Sequence, residues 1–328
     1  MNIVVIGLGS MGRRRIRHIQ RYCNSNNIVG IDCQDNRREQ VNREFGIKTY
    51  KSIDDALREW TFESAFVCTS PLTHGKIISD CLDLDLHVFT EINLVSDLYF
   101  ENIQKAKARR RVLFISSTPM YRKEMQWIKF RLNSIKSPIS YQYHVGNYLP
   151  DWHPWESYKD FFVGEKITNG CREFMAIEFP WLIDVFGEVV GFFAASSKVT
   201  GLDLDYPDTI NIILKHINGN IGSLMIDVAS RKAVRDFTCS AEDCYFEWHG
   251  TPDTLLEYDI NRKKDAKIEL YNMTEHLDGY NSTIIEDAYF DEIVDFFRCI
   301  LEDGVPKHSF EKDAKILSLI NSIEGECV

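Results

Sequence analysis

The feature of this chain that most constrains its fold is a glycine-rich turn near the amino terminus. The segment Gly7-Leu8-Gly9-Ser10-Met11-Gly12 follows an apolar run, Asn2–Ile6, and precedes a stretch of helical periodicity at 11–23. A strand that leads through G-x-G-x-x-G into a helix is typical of a dinucleotide-binding βαβ unit. There the glycines permit the turn, the approach of a pyrophosphate and close helix packing. The alternative is a tight glycine turn that binds no ligand.

Asp32 indicates which dinucleotide this unit binds. It lies twenty residues after Gly12, at the end of the next apolar run. A carboxylate there accepts hydrogen bonds from the ribose hydroxyls and repels a 2′-phosphate. The sequence therefore predicts NAD as the cofactor, while Arg37 and Arg38 nearby leave NADP open.

Four arginines stand at the start of the first predicted helix: Arg13, Arg14, Arg15 and Arg17. Consecutive helical residues point in different directions. We expect Arg13 to contact the phosphates and most of the others to lie on a solvated face.

The pattern along the chain predicts two domains in 328 residues. Up to residue 120, short β-branched runs alternate with helix-length stretches, which predicts a parallel α/β sheet of the Rossmann type. The predicted strands are 2–6, 28–32, 65–69, 87–90 and 112–116, and the predicted helices are 11–23, 36–45, 53–60, 74–84 and 96–109.

From residue 121 to 328 the pattern predicts an α+β domain with a mostly antiparallel sheet. Ile139, Tyr141, Tyr143 and Val145 alternate with polar residues, as in a half-buried strand. Asn218-Gly219 is a plausible hairpin turn between two further strands. The predicted strands are 190–199, 209–217, 221–229, 235–241 and 243–249, and two helices at 289–300 and 310–323 close the chain.

The charge balance bears on location and partners. Residues 1–120 carry 17 basic and 14 acidic side chains, the remainder 21 and 35, and the total is −11. A nucleic-acid-binding protein normally shows a basic surplus, so we expect none as the main partner. We expect no membrane span either, because apolar runs stay below about 18 residues. The start of the chain does not resemble a secretory signal, which predicts a cytoplasmic protein.

The nine cysteines are scattered and form no C-x-x-C pair. This spacing is typical of reduced, partly buried thiols rather than of a structural zinc site. We predict no metal ion.

Two further segments follow predicted strands of the first domain, where open α/β sheets bind ligands. The first is Cys68-Thr69-Ser70-Pro71-Leu72-Thr73-His74, and the second is Phe89-Thr90-Glu91-Ile92-Asn93-Leu94. In the first, Pro71 fixes the turn, and small hydroxyl residues let a cofactor pass close to the backbone.

With these segments and the glycine turn, the chain resembles the Gfo/Idh/MocA family. The resemblance implies a Rossmann domain, then a domain with an open, mostly antiparallel sheet, then closing helices packed back on the first domain. It implies NAD(P)-dependent oxidation or reduction of a sugar, cyclitol or nucleotide-sugar carbon, by a homodimer or homotetramer that pairs through the open sheet. It also implies that Thr69, Ser70, Pro71, His74, Glu91 and Asn93 line the cofactor site.

The chain departs from the family pattern at the catalytic lysine. The family has Glu-Lys-Pro after the fifth strand, whereas this chain has Glu91-Ile92-Asn93. Hydride transfer at a carbinol carbon needs a group that exchanges the hydroxyl proton. Because Ile92 and Asn93 cannot titrate, we expect an acid/base other than lysine, and Tyr121 and His153 are candidates.

The family's second signature, a glycine turn entering a helix with Asp and His, is also altered. The matching segment, 169–184, contains Arg172, Glu173 and Glu178 but no histidine. Glu178 falls on an apolar helical stripe, where a carboxylate is costly unless paired. It is therefore either ion-paired to an arginine or a third catalytic candidate. Pro180 should kink the helix.

A loop rich in aromatic residues, Gly146-Asn147-Tyr148-Leu149-Pro150-Asp151-Trp152-His153-Pro154-Trp155-Glu156, suits a sugar ring. The alternative is an aromatic plug that covers the sheet. We predict Asp151 and Trp152 as substrate-binding residues, together with Arg122 and Arg172.

The leading hypothesis is an NAD(P)-dependent oxidoreductase with its substrate between the nicotinamide and the second sheet. The rival hypothesis is an inactive homologue that binds the cofactor and acts as a sensor or partner in a sugar pathway. A Rossmann protein with a different ligand fits less well, given Asp32 after the glycine turn.

Overall fold

The structure is a computed structural model that describes residues 1–23, 27–152, 156–275 and 283–327. Within these ranges the chain forms two compact units. Unit 1 comprises Met1–Ser117 and Tyr289–Lys315, and unit 2 comprises Thr118–Ala288 and Ile316–Val328.

The first part of unit 1 alternates strands and helices. Its elements are β1 (Asn2–Ile6), α1 (Ser10–Tyr22), β2 (Asn27–Ile31), α2 (Asp35–Phe45), β3 (Lys48–Tyr50), α3 (Ile53–Leu57), β4 (Ser64–Val67), α4 (Pro71–Asp83), β5 (His87–Thr90), α5 (Tyr99–Arg109) and β6 (Leu113–Ile115).

The strands of unit 1 form one parallel sheet in the order β3-β2-β1-β4-β5-β6. This confirms the predicted Rossmann-type sheet. The order reverses direction between β1 and β4, where Ile6 pairs with both Ile31 and Val67. Such a switch point is where open α/β sheets bind ligands, and the glycine turn follows β1 directly.

The strand cores are apolar throughout, as fully buried strands require. Ile3, Val4 and Val5 in β1 and Ala65 and Phe66 in β4 are fully buried. The edge strand β3 was not predicted, because its three residues carry no buried apolar side chain.

The remaining elements lie after residue 117. They are α6 (Lys123–Leu132), β7 (Ser140–Gly146), α7 (Gly170–Phe186), β8 (Val189–Ser197), β9 (Thr209–His216), β10 (Ile221–Asp227), β11 (Val234–Ala241), β12 (Cys244–Trp248), β13 (Leu256–Asp259), β14 (Lys264–Lys267), α8 (Glu286–Leu301) and α9 (Phe310–Glu326). Unit 1 includes α8 from Tyr289 and α9 as far as Lys315.

The sheet of unit 2 has the order β14-β13-β12-β11-β7-β10-β9-β8. Only β7 and β10 pair in parallel among the described strands of this sheet, so the predicted, mostly antiparallel arrangement is confirmed. The predicted hairpin at Asn218-Gly219 joins β9 to β10, and Gly219 has a φ of 87° there.

Side chains on the two faces of this sheet differ in burial. Ile212 and Leu214 of β9 are buried, whereas Ile213 between them is 42% exposed. Tyr141 and Tyr143 of β7 lie on the buried face, as their alternation predicted. Helix α7 continues through Pro180, which has no N–H to donate within the helix.

Candidate functional site

Two of the three glycines in the turn after β1 stand where no side chain fits. Gly7 has a φ of +93°, and a Cβ on it would lie 2.5 Å from the carbonyl oxygen of Cys68. A Cβ on Gly12 would lie 1.9 Å from the carbonyl oxygen of Gly7. Both distances are far inside van der Waals contact. Gly7 therefore makes the turn, and Gly12 lets α1 pack closely against it.

Gly9 faces open space. It is the N-cap residue of α1, and the nearest heavy atom to a Cβ on it would be Nη1 of Arg37, at 3.9 Å. Ser10 and Met11 follow in the first helical turn, where backbone N–H groups have no acceptor within a helix. A helix N-terminus that is preceded by a glycine, and so has no side chain over its backbone N–H groups, fits a pyrophosphate. These residues therefore fit NAD.

Asp32 lies beside this turn and holds it in place. Its carboxylate accepts one hydrogen bond from the N–H of Leu8 and one from the N–H of Gln34, each at 2.8 Å. Each oxygen keeps a second lone pair for a ribose hydroxyl. Nη1 of Arg37 is 3.7 Å from Oδ2 of Asp32, so Arg37 is the cation that would meet a 2′-phosphate.

The segment after β4 is joined to the segment after β5 by a buried histidine. His74 Nε2 lies 3.0 Å from the carbonyl oxygen of Thr69, and Nδ1 lies 2.7 Å from Oδ1 of Asn93. Burial lowers the pKa of His74. Ser70 is the N-cap of α4 and Pro71 begins it. His74 therefore connects the two loops through these buried contacts. In the first loop, Thr69 is partly exposed and Ser70 is exposed.

Glu91 is held by a buried arginine. Nε and Nη2 of Arg15 donate to its two carboxylate oxygens at 2.6 and 3.1 Å, and Nη1 of Arg15 lies 2.9 Å from Oε2 of Glu292. Burial alone would lower the pKa of Arg15, but the two carboxylates raise it. Burial raises the pKa of Glu292. This arginine fixes the turn after β5 to helix α8.

The prediction of a solvated arginine face is therefore wrong for two of the four arginines. Arg15 is fully buried, and Arg14 is 3% exposed, with its guanidinium 4.6 Å from the ring centroid of Tyr289. Consecutive helical residues point in different directions, and helix α8 covers this side. Arg13 is partly exposed and lies 3.7 Å from Glu44, so it keeps the position from which we expect phosphate contact.

In unit 2, Glu178 is the acceptor of a buried network. Its Oε2 accepts hydrogen bonds from the Tyr143 hydroxyl at 2.8 Å and from Nε1 of Trp181 at 2.7 Å, and its Oε1 is ion-paired with Arg235. Burial raises the pKa of Tyr143. Glu178 was expected to be either ion-paired to an arginine or catalytic, and the structure shows the ion pair with Arg235.

The two arginines that we expected to bind substrate form ion pairs and hydrogen bonds within unit 2. Arg172 forms an ion pair with Glu324 and donates to Oδ1 of Asn321 at 2.6 Å. Arg122 donates to Glu124 at 2.6 Å and to the carbonyl oxygen of Thr283 at 2.6 Å. Both side chains are almost fully buried. We therefore assign them a structural role, because these contacts already use their charge.

The aromatic loop after β7 is described as far as residue 152. Nε1 of Trp152 donates to the carbonyl oxygen of Asn147 at 3.1 Å, and its ring packs edge-on against Phe174. Asp151 is exposed. Tyr121 is 3% exposed at the end of a short 3-10 turn. His153 lies outside the described residues, so its role stays a prediction.

Two features of unit 2 were missed when roles were assigned from the sequence. The guanidinium of Arg231 lies 3.6 Å from the ring centroid of Tyr148, next to the aromatic loop. Oε2 of Glu173 is buried, and within the described ranges it has no hydrogen-bond partner. The sequence shows a charge at each position, but it does not show which charges find partners.

Among the described residues, no group of three or more histidine, cysteine, aspartate or glutamate side chains is placed to hold a metal ion. The same part of the chain contains no helix long and apolar enough to cross a membrane.

Comparison with known proteins finds similarity to an oxidoreductase family and to dehydrogenases. Residues 1–114 match the model of an oxidoreductase family with an NAD-binding Rossmann fold, GFO_IDH_MocA. Myo-inositol 2-dehydrogenase of Thermotoga maritima is 27% identical over 112 residues, which span 32% of this chain and only 34% of that enzyme.

Solved structures resemble the chain over its whole length. UDP-N-acetylglucosamine 3-dehydrogenase GnnA from Acidithiobacillus ferrooxidans has a TM-score of 0.78 at 18% identity, covering 100% of this chain and 97% of that one. An oxidoreductase from Agrobacterium radiobacter, solved with NAD+, L-tartaric acid and magnesium, has a TM-score of 0.82 at 12% identity, with 99% and 96% covered. At these identities the likeness shows the fold.

Proposed function

We propose that this protein oxidises or reduces a carbon of a sugar, cyclitol or nucleotide sugar with NAD(H), since residues 1–114 match the model of the Gfo/Idh/MocA oxidoreductase family with its NAD-binding Rossmann fold. The observation that carries the proposal is the turn after β1. Gly7 and Gly12 leave no room for a side chain, Gly9 faces open space, and Asp32 lies beside them. Bound there, NAD supplies a hydride acceptor, and this chain's residues supply binding, orientation and proton exchange.

The substrate class follows from the relatives and from the aromatic loop. The relatives are named for inositol and for UDP-N-acetylglucosamine, which are ring compounds with several hydroxyl groups. Tyr148 and Trp152 are partly exposed aromatic side chains, and Asp151 offers an exposed carboxylate. This combination suits a polyhydroxylated ring, because its C–H faces stack on aromatic side chains and its hydroxyls donate to carboxylates.

The acid/base is a group other than lysine. Ile92 occupies the position of the family's lysine and has no exchangeable proton. Tyr121, His153 and Glu178 are the candidates named from the sequence. Glu178 is the weakest of them, since three donors already share its carboxylate.

Titration with NADH, followed by turnover assays, tests the proposal. We expect saturable NADH fluorescence and an absorbance change at 340 nm with at least one compound from a panel of inositols, hexoses and nucleotide sugars. Since Ile92 replaces the lysine, the rival function is an inactive NAD-binding sensor. It predicts the same fluorescence with no absorbance change on any panel member. Absence of NADH binding at millimolar cofactor would contradict both functions.

We also propose that the protein is a homo-oligomer that pairs through the open face of its second sheet. Phe193 of β8 is 61% exposed, and its neighbour across the ladder, Ile213, is 42% exposed. On β10, the side chains of Ile221 and Met225 are 43% and 36% exposed, respectively. Neighbouring apolar side chains on one exposed face are typical of an interface.

Replacing Phe193 with glutamate should convert the oligomer to a monomer, because it places a charge on this apolar face. Sedimentation velocity measures the change. The matched control is Phe130→Glu, since Phe130 lies in α6 and is 77% exposed. Monomeric wild-type protein, or oligomers that survive in both variants, would disprove the interface.

A further inference from the structure

Strand β8 lies at one edge of the sheet in unit 2, and it lacks the features that usually protect such an edge. Among the described strands, the sheet ends at β8 on one side and at β14 on the other. In β14, the residues Lys264, Asp265 and Lys267 are charged, which discourages pairing with another chain. The nine residues of β8 include no charged residue and no proline. The edge at β8 is therefore suited to accept a further strand.

The side chains of β8 are more exposed than those of its neighbour in the sheet. The strand contains two valines, two phenylalanines and two alanines, yet none of its nine residues is buried. Val190 and Phe193 are both more than half exposed. In β9, by contrast, Ile210, Ile212 and Leu214 are buried on the inner face. The described residues thus leave apolar surface of β8 uncovered.

The register of the sheet shows which backbone groups of β8 point away from it. The N–H of His216 donates to the carbonyl oxygen of Asn220 at 2.9 Å, so the even-numbered residues of β9 bond to β10. The odd-numbered residues of β9 therefore bond to β8, and after a bulge at the start of β8 they pair with its odd-numbered residues. By alternation, the N–H and C=O groups of Phe192, Ala194 and Ser196 point outward.

Within the described part of the chain, no backbone hydrogen bond outside the sheet involves Phe192, Ala194 or Ser196. The hydroxyl of Ser196 donates to the carbonyl oxygen of Cys327 at 2.9 Å, and this contact does not use the backbone groups of Ser196. Unpaired N–H and C=O groups along an edge strand form a template for a further strand.

We propose that the β8 edge, residues 191–197, pairs antiparallel with the same edge of a second copy of this chain, so that the two sheets become continuous. A two-fold axis at Ala194 places Phe192 opposite Ser196 of the partner subunit. Each outward-facing residue then exchanges two hydrogen bonds with the residue opposite it. The strand complements itself in this way, and it carries no charge that would select a different partner.

This interface is distinct from the open face proposed above. The open face consists of side chains on β8, β9 and β10, whereas the β8 edge pairs through backbone groups of one strand. The pairing also does not depend on the proposed oxidoreductase activity, because it involves neither NAD nor a substrate.

The variant Ala194→Pro tests the β8 edge, because proline removes the outward N–H at its centre and places a ring carbon there. Edge strands tolerate proline where the N–H faces away from the sheet. We expect sedimentation velocity to give half the mass of the wild-type assembly, with an unchanged circular dichroism spectrum. Asp265→Pro is the matched control, since the N–H of Asp265 also faces away from the sheet, at β14. It should keep the wild-type mass.

Hydrogen exchange tests the pairing in the unaltered protein. The amides of Phe192, Ala194 and Ser196 should exchange slowly in the assembly, because they donate to the partner strand. They should stay protected in Met225→Glu, which adds a charge to the open face on β10, and lose their protection in Ala194→Pro.

Three results would overturn the proposal. The first is a wild-type protein that is a monomer, and the second is a folded Ala194→Pro that keeps the wild-type mass. The third is exchange at these three amides as fast as at the outward-facing amide of Asp265. This last result decides the question even where Ala194→Pro does not fold.

Discussion

Replacing Gly9 with leucine should abolish NADH binding and leave the protein folded. The backbone φ of Gly9 is −70°, which any residue adopts, and a Cβ there would meet only Arg37, at 3.9 Å. The free protein therefore accommodates the leucine side chain. The pyrophosphate cannot bind, because the leucine fills the space through which the pyrophosphate would reach the backbone N–H groups. Losing two charge-assisted hydrogen bonds raises the Kd about 100-fold or more.

Fluorescence titration with NADH measures this loss, and circular dichroism and thermal unfolding check the fold. Gly201→Leu is the control, since a Cβ at Gly201 has open space and its φ lies outside the left-handed region. It should bind NADH as the wild type does. If Gly9→Leu also binds with wild-type affinity, the dinucleotide does not approach the chain at this turn.

The local signals of unit 1 were sufficient to predict most of its sheet. The predicted bounds of β1 and β5 agree with the structure, because their buried apolar runs end sharply. The edge strand β14 of unit 2 and its neighbour β13 were missed. The four residues of β14 are all exposed, so they show no alternation of buried and exposed residues. Such strands are defined by backbone pairing, which a hydrophobic pattern does not report.

Pairing between distant strands could not be predicted either. The parallel pair β7–β10 joins strands separated by α7, β8 and β9. Its neighbours in the sheet are antiparallel, and alternation of side chains is the same in both kinds of pair. This pair nevertheless brings the loops after residues 146 and 227 together at the start of α7.

The cofactor turn was predictable because its chemistry is local, and the buried charges were not. Gly7, Gly9 and Gly12 act through the backbone within six residues. Arg15, in contrast, forms ion pairs with Glu91 and Glu292, which lie far from it in the sequence and are brought to it by the sheet and by α8. In sequence it is one of four clustered arginines, and its neighbour Arg17 is a surface residue.

Arg15→Met should be the most destabilising of these substitutions. Methionine fills much of the volume but leaves the carboxylates of Glu91 and Glu292 buried without their cation. Breaking a buried ion pair by removing one partner costs about 3–5 kcal/mol. Urea unfolding at pH 7 measures the difference. The deficit should shrink at pH 5, because burial raises the pKa of Glu292 and the loss of its cation raises it further, so that this carboxyl group is protonated more readily.

Arg17→Met separates this effect from the loss of any arginine on α1. Arg17 is partly exposed and lies 3.3 Å from Glu44 on the surface. Such pairs contribute about 0–1 kcal/mol. The two variants remove the same charge from the same helix, so a large difference between them must come from the buried carboxylates. Equal stabilities would mean that Glu91 and Glu292 do not depend on Arg15. In that case the turn after β5, which we expect to line the cofactor site, is held by its apolar contacts alone.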